Sequence, residues 1–194
     1  MKKPVALAFA ASAVCAAGLW LVLSSGNASD APVEGNFALE RLSTPNVELI
    51  DQNAERHRLK GALTDGRLLV INFSYTLCNS ICPIGNDVMA ELDGMLPPGE
   101  EVRLLSITID PGRDTPAMMR KAADAFGASE RWLWLTGAPG EIDRLLEAFD
   151  ADFVDLELHD PVFLIGDLES GRFYRSLSMP SADELRNLVA TLGT

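Results

Sequence analysis

The sequence predicts an α/β domain with a mixed central sheet. Apolar runs at 68–75 and 102–109 are typical of buried strands, and each is followed by a segment whose apolar residues recur at helical spacing. Near the end of the chain, strand patterns at 162–165 and 172–174 are separated by a turn and precede one last helix. Strands that alternate with helices and then close with a hairpin favour a sheet containing both parallel and antiparallel pairs.

Helix starts and turns divide the rest of the chain into elements. Pro83 suits the first turn of a helix, Asp114 or Thr115 can cap the helix that begins with Pro116, and Ser181 can cap the last helix. We expect capping to be the role of Asp114. The predicted order is a hairpin (47–50 and 56–59), a strand (68–75), a helix after Pro83, a strand (102–109), a helix (116–126), a strand (132–135), a helix (139–149), a hairpin (162–165 and 172–174) and a helix ending near Leu192.

A hydrophobic leader precedes this fold. Two lysines are followed by an apolar stretch from Val5 to Leu23, interrupted only by Ser12, and small residues follow up to Ala28. Residues 1–28 therefore have the pattern of a signal peptide, and the stretch is close to the about 20 residues that a membrane anchor needs. Both alternatives place the folded domain outside the cytosol.

The remaining chain is acidic. The net charge is −12, and it becomes −14 for residues 29–194 because the leader contributes two lysines and no acidic residue. Such a domain does not bind nucleic acid by neutralising phosphates. Residues 29–45 contain Pro32, Gly35 and Pro45 among serines and asparagines, which predicts a flexible tether. The folded domain is then expected over 46–194.

A pair of cysteines lies where the strand at 68–75 leads into a helix. Cys78 and Cys82 are the only cysteines outside the leader, so the chain has no disulfide framework. Two residues four positions apart at the start of a helix are separated by about one turn, so both thiols lie on the same side of the helix. Thioredoxin-like folds place their cysteines at this junction. A structural disulfide here closes too short a loop to stabilise much, which favours redox or metal chemistry.

The helix start should also activate these thiols. The positive end of the helix dipole favours thiolate and lowers the pKa of a thiol placed there. Two soft sulfurs suit Cu(I) especially, and a third ligand completes such a site. Of the two histidines, His57 lies in a charged run typical of a solvated hairpin edge, whereas His159 directly precedes the strand at 162–165. From the residues alone, His159 is either a surface residue or that third ligand.

From about residue 46 onward, the chain resembles the Sco (SenC) family of copper-binding assembly proteins. The motifs that carry the resemblance are short, but their order and spacing cover nearly the whole domain. They are Phe73-Ser74-Tyr75-Thr76-x-Cys78-x-x-x-Cys82-Pro83, Ser106-Ile107-Thr108-Ile109-Asp110-Pro111-Gly112-Arg113-Asp114-Thr115-Pro116, Leu135-Thr136-Gly137, and His159 ahead of a strand.

The resemblance implies a thioredoxin-like three-layer fold, an N-terminal membrane anchor on the periplasmic side, and a copper site made by Cys78, Cys82 and His159. It also implies a partner, the subunit of a respiratory enzyme such as cytochrome c oxidase that receives copper in its CuA centre. The chain departs from the common pattern at Leu77, where many members have histidine, and at Asn79, where many have proline.

Two carboxylates near the predicted site have alternative roles. Asp110 can lie beside the metal or simply form the turn Asp110-Pro111-Gly112. Asp160 can hydrogen-bond His159 or be an exposed loop residue.

A second function uses the same thiols. In a thiol–disulfide oxidoreductase, Cys78 attacks a client disulfide and Cys82 resolves the intermediate, without need of an imidazole. A peroxidase on a related fold is disfavoured, because Tyr75 occupies the position three residues before Cys78 where peroxiredoxins have Thr or Ser.

Overall fold

The computed structural model describes residues 35–151 and 161–193. These residues form eight strands and four helices. In order, they are β1 (Phe37–Arg41), β2 (Glu48–Asp51), β3 (Arg56–Arg58), β4 (Leu68–Ser74), α1 (Ile81–Met95), β5 (Val102–Thr108), α2 (Pro116–Phe126), β6 (Trp132–Thr136), α3 (Pro139–Ala148), β7 (Phe163–Gly166), β8 (Arg172–Ser176) and α4 (Ala182–Leu192).

One mixed sheet contains all of the described strands, in the order β1-β8-β7-β4-β5-β6-β2-β3. The central strands β4, β5 and β6 are parallel, because helical crossovers connect them, whereas β7 runs antiparallel to β4. The two hairpins, β2–β3 and β7–β8, are antiparallel, and so are the pairs β1–β8 and β2–β6. The predicted α/β class with a mixed sheet is therefore confirmed, as are the predicted hairpins.

Alternation along β4 builds two hydrophobic layers. Leu69, Ile71 and Phe73 point into a core shared with α3. Val70, on the opposite face, packs into a second core with residues of α1, α2 and α4. A sheet between helices is the three-layer arrangement predicted from the sequence. The alternation also sends Asn72 and Ser74 to the side of α1, where both are nearly fully buried.

The prediction of a flexible tether over 29–45 is wrong for Phe37–Arg41. This segment forms edge strand β1 and pairs antiparallel with β8, with Phe37 opposite Ser176. Phe37 is only 3% exposed and packs in the second core, so it contributes to the fold. The folded domain consequently begins before residue 46. Proline and glycine at both ends of the segment gave a loop pattern, and the pairing with the distant β8 has no local signal in the sequence.

The predicted leader, residues 1–28, lies outside the described residues. Of the helices that the structure describes, none has the length and apolar character needed to cross a membrane. Cleavage or retention of the leader stays a prediction from the sequence.

Candidate metal centre

The two cysteines lie on the connection between β4 and α1. After β4 ends at Ser74, the Cys78 N–H donates to the Tyr75 carbonyl at 3.2 Å, which closes a turn. Helix α1 then begins at Ile81, and Cys82 is in its first turn. The parallel strands β4 and β5 end at this same edge of the sheet, the edge at which ligands bind in open α/β sheets.

The Cys78 sulfur takes over a capping role at α1. Ser80 occupies the N-cap position, yet its side chain makes no capping hydrogen bond. Instead, the Cys82 N–H, one of the free donors at the helix start, donates to Cys78 Sγ at 3.4 Å. The Ser80 hydroxyl also lies 3.6 Å from Cys78 Sγ. These contacts hold one sulfur against the positive end of the helix.

The surroundings of the two thiols give them opposite properties. Burial alone raises the pKa of Cys78, but hydrogen bonds from the Cys82 thiol, from Ser80 and from the Cys82 backbone lower it to about 7. Burial raises the pKa of Cys82 to about 12, with a further contribution from Cys78, and hydrogen bonds to the Tyr75 backbone and the Ser74 side chain offset this only in part. The predicted lowering is therefore correct for Cys78 and wrong for Cys82, because burial exceeds the helix effect there.

Both sulfurs are nearly covered, while their neighbours are exposed. Cys78 is 7% and Cys82 4% exposed, whereas Leu77 and Ile84 are 49% and 52% exposed. A partner that reaches the sulfurs therefore meets an apolar rim.

Asp114 anchors the cysteine loop and does not cap α2. The N-cap of α2 is Thr115, whose side chain accepts from the Met118 N–H at 3.3 Å. The buried Asp114 carboxylate instead accepts from the Thr76 N–H at 3.1 Å, from the Thr76 hydroxyl and from the Thr108 hydroxyl at 2.6 Å. The expected capping role was wrong because these donors, two of them from Thr76, lie on other segments.

Asp110 lies at the end of β5 on this edge of the sheet. Its carbonyl accepts from the N–H groups of Arg113 and Asp114, and its carboxylate pairs with the Arg113 guanidinium. These bonds are the turn that the sequence predicted as one alternative. A role for the Asp110 carboxylate beside a metal stays a prediction.

His57 is half-buried on the first hairpin, at variance with the solvated edge expected from its charged neighbours. Its Nε2 lies 3.0 Å from Asp51 Oδ2, and ligand atoms of Asp51, Glu55 and His57 all lie within 4.8 Å of one another. Asp51 Oδ1 accepts from the N–H groups of Asn53 and Glu55. Burial raises the pKa of Asp51, but the hydrogen bond with His57 and those from the Glu55 and Asn53 N–H groups keep it below its ordinary value. The Asp51 carboxylate therefore finds these hydrogen-bond partners within the hairpin.

His159 and Asp160 lie outside the described residues. The chain resumes at Pro161, and Pro161 and Val162 line a small cleft together with Cys82. Phe163 then begins β7 and pairs with Asn72 of the cysteine strand. The segment that follows His159 in the chain is therefore adjacent to Cys82.

A mixed sheet with a cysteine pair at the β4–α1 junction defines a protein of the thioredoxin-like class. Within this class, the family model described as SCO1/SenC matches residues 41–162, which is more than half of the chain. The chain belongs to the SCO1/SenC family.

Known proteins of this family align with the chain in sequence and in structure. SenC of Rhodobacter capsulatus is 30% identical over 97 residues, covering 50% of this chain and 43% of that protein. The chain spans about half the length of the curated relatives it matches. The structure of yeast Sco1 with copper bound is 25% identical, covers 78% of this chain and 92% of that chain, and gives a TM-score of 0.64.

A further structural neighbour supports the fold alone. It is BsSco, a member of the Sco family of cytochrome c oxidase assembly proteins. BsSco is 22% identical, with coverage of 79% of this chain and 94% of that chain and a TM-score of 0.66.

Proposed function

We propose that this chain binds copper as cargo through Cys78, Cys82 and His159 and helps to load the CuA centre of a respiratory enzyme such as cytochrome c oxidase. Membership of the SCO1/SenC family supports this function, as does the copper in the related yeast Sco1 structure. The observation that carries the proposal is the pair of hydrogen-bonded thiols, held at the start of α1 on the ligand-binding edge of the sheet.

The donor chemistry fits a soft, monovalent ion. The pKa of about 7 makes Cys78 a thiolate in a large fraction of molecules near neutral pH. Copper must displace the proton of Cys82, whose pKa is about 12, so binding should release a proton. Two thiolates satisfy Cu(I) well and leave Zn(II) short of its usual four ligands.

The third ligand in this proposal is His159. Its support is the cleft in which Pro161 and Val162 lie against Cys82. Pro161 and Val162 are the first described residues that follow His159 in the chain. The carboxylates of Asp110 and Asp160 are proposed to act around the site without binding copper directly.

The proposed location and partner follow from the leader and from the exposed rim. Residues 1–28 direct the domain to the periplasmic side of the inner membrane, as an anchor or as a cleaved signal peptide. The copper-receiving subunit then approaches the cysteine edge of the sheet, where Leu77 and Ile84 are exposed.

The unequal thiols favour a second candidate function, reduction of the receiving subunit's cysteines. The Cys78 thiolate attacks the client disulfide to form a mixed disulfide and releases one client thiolate. Cys82 loses its proton and attacks Cys78, which forms the Cys78–Cys82 disulfide and releases the second client thiolate. Two electrons pass from the cysteine pair to the client.

Copper binding to the reduced full chain tests the first function and separates it from the second. We expect one copper per chain, with binding at least about tenfold weaker in Cys78→Ala, Cys82→Ala and His159→Ala, because each variant loses a direct ligand. His57→Gln is the matched control, since it removes the other histidine. Unchanged binding in His159→Ala, together with reduction of a client disulfide, would leave the oxidoreductase as the function.

A further inference from the structure

A line of polar side chains runs through the layer between α1 and the sheet. Asn72, Ser74 and Ser106 belong to β4 and β5, Asn86 belongs to α1, and each is at most 3% exposed. The same layer is otherwise a hydrophobic core. Buried polar groups of this kind destabilise the fold unless each finds a hydrogen-bond partner.

The hydrogen bonds form one continuous series that ends at a cysteine. The Trp132 indole lies 2.9 Å from Ser106 Oγ, which lies 2.6 Å from Asn72 Oδ1. Asn72 Nδ2 is 2.9 Å from Asn86 Oδ1, and Asn86 Nδ2 is 3.0 Å from Ser74 Oγ. Cys82 lies one helical turn before Asn86 on the same side of α1, where the Ser74 hydroxyl serves as a donor to its sulfur. We call this series the donor chain; it comprises Trp132, Ser106, Asn72, Asn86, Ser74 and Cys82.

The indole and the orientation of the two amides together give the series one direction. An indole N–H can only donate, so Ser106 accepts from Trp132, and Ser106 donates its own proton to the oxygen that Asn72 turns toward it. Each amide then accepts with its oxygen and donates with its nitrogen, and the Ser74 hydroxyl, which already accepts from Asn86, donates to Cys82. All donors thus point at the sulfur, and aligned hydrogen bonds of this kind strengthen one another.

We propose that the donor chain holds the Cys82 sulfur in its copper-binding position and transmits the bonding state of that sulfur to the Trp132 indole. Ser74 and Asn86 are positioning residues, because they act through Cys82. The copper part of this inference rests on the proposed function. The transmission part does not, since disulfide formation changes the same sulfur.

The two states of the sulfur should move the donor chain in opposite directions. Copper replaces the Cys82 proton and leaves a thiolate, which accepts a stronger hydrogen bond from Ser74 than a thiol does. In the dithiol, the Cys82 thiol donates to the Cys78 sulfur and shares its negative charge. A disulfide sulfur has lost this charge and accepts a weaker hydrogen bond from Ser74 than the dithiol does. Through the aligned bonds, the Trp132 N–H bond to Ser106 should tighten with copper and loosen in the disulfide.

Trp134 provides an internal control for this effect. Its ring lies 5.5 Å from that of Trp132, and both indoles are buried. Among the described residues, however, the Trp134 indole nitrogen has no hydrogen-bond partner. A general change in packing therefore affects both rings, whereas a change in the donor chain affects Trp132 alone.

Nitrogen–proton NMR of the full chain, with indole signals assigned from Trp→Phe variants, tests the proposal. The dithiol is compared with the Cu(I)-loaded protein and with the disulfide, which oxidised glutathione forms by taking two electrons and two protons. The Trp132 N–H proton should shift downfield with copper and upfield in the disulfide, with smaller shifts for Trp134. Ser106→Ala should abolish the difference. Equal shifts of both indoles, or none at Trp132, would overturn the inference.

Copper affinity measured by competition with a chromogenic chelator tests the positioning role. Ser74→Ala should bind Cu(I) about tenfold more weakly, because a hydrogen bond to a charged sulfur is lost. Ser74→Thr keeps the hydroxyl and should restore the affinity, which a purely structural defect would not predict. Thr64→Val is the matched control, since it removes a buried hydroxyl that precedes the opposite end of β4. Unchanged binding by Ser74→Ala would overturn the positioning role.

Together, the NMR and copper-binding experiments distinguish a failure of the donor chain from a failure of the proposed function. If the parent binds no copper while oxidation shifts the Trp132 signal alone, the proposed function is wrong and the donor chain stands. If the parent binds copper but the two indoles respond equally, the donor chain is wrong and the proposed function stands.

Discussion

Replacing Asp114 by alanine should destabilise the domain and loosen the loop that carries Cys78. The carboxylate is 2% exposed and accepts from three donors, which are the N–H and hydroxyl of Thr76 and the hydroxyl of Thr108. Thr76 lies two residues before Cys78, whereas Thr108 ends β5. Asp114 therefore connects the cysteine loop to the neighbouring strand.

The expected loss of stability follows from these three bonds. A hydrogen bond to a charged group contributes about 1.5–3 kcal/mol net. The two hydroxyls can rotate toward other acceptors, but the Thr76 N–H cannot, so the free energy of unfolding should fall by about 3 kcal/mol in Asp114→Ala. Asp114→Asn retains one acceptor oxygen and should lose about half of this amount.

Urea unfolding of the full chain, monitored by tryptophan fluorescence, measures these losses. Asp167→Ala is the control, because Asp167 accepts two hydrogen bonds from Ser170 in an exposed turn, and it should change stability by about 0.5 kcal/mol. A loss below about 1 kcal/mol in Asp114→Ala, or a loss equal to that of the control, would refute the anchoring role.

Three further predictions concern the thiols and the scaffold. Iodoacetamide should alkylate Cys78 before Cys82, at a rate that rises with pH through about 7 as the Cys78 thiolate forms. Peptide mapping by mass spectrometry checks this, and equal labelling would contradict it. Gly166→Ala should cost about 3 kcal/mol or more, because its Cβ would lie 2.0 Å from the Arg172 carbonyl oxygen. An unchanged melting temperature would show that the strands can move apart. Ser181→Ala should cost about 1 kcal/mol by removing the α4 cap, without changing copper binding; urea unfolding and copper titration measure the two effects.

The two thiols differ because hydrogen bonds outweigh the effect of burial on the pKa of Cys78 but not on that of Cys82. The helix start and the contacts at Cys78 Sγ favour thiolate, while the environment of Cys82 keeps its proton in the reduced protein. The same inequality serves both candidate functions, since copper binding and disulfide exchange each begin at an available thiolate and then remove the second proton.

The sequence by itself determined the elements and the chemistry of the junction. The apolar run of β4, the proline in the first turn of α1 and the cysteines between them are local patterns, so strand, helix and thiol pair could be predicted together. The cap at Ser181 was predictable for the same reason, because its partner Glu184 is three residues away. Spacing along one helix or strand fixes such neighbours whatever the rest of the chain does.

Only the tertiary structure decided which distant residues serve the site. Asp114 meets Thr76 across 38 positions of sequence, and the bond from Ser106 to Asn72 crosses 34. Strand β1 exists because β8, more than a hundred residues later, pairs with it. These contacts depend on strand order and register, which local periodicity does not contain. An aspartate before a helix therefore gave the pattern of a cap, and a serine on a buried strand gave no sign that its hydroxyl reaches a cysteine.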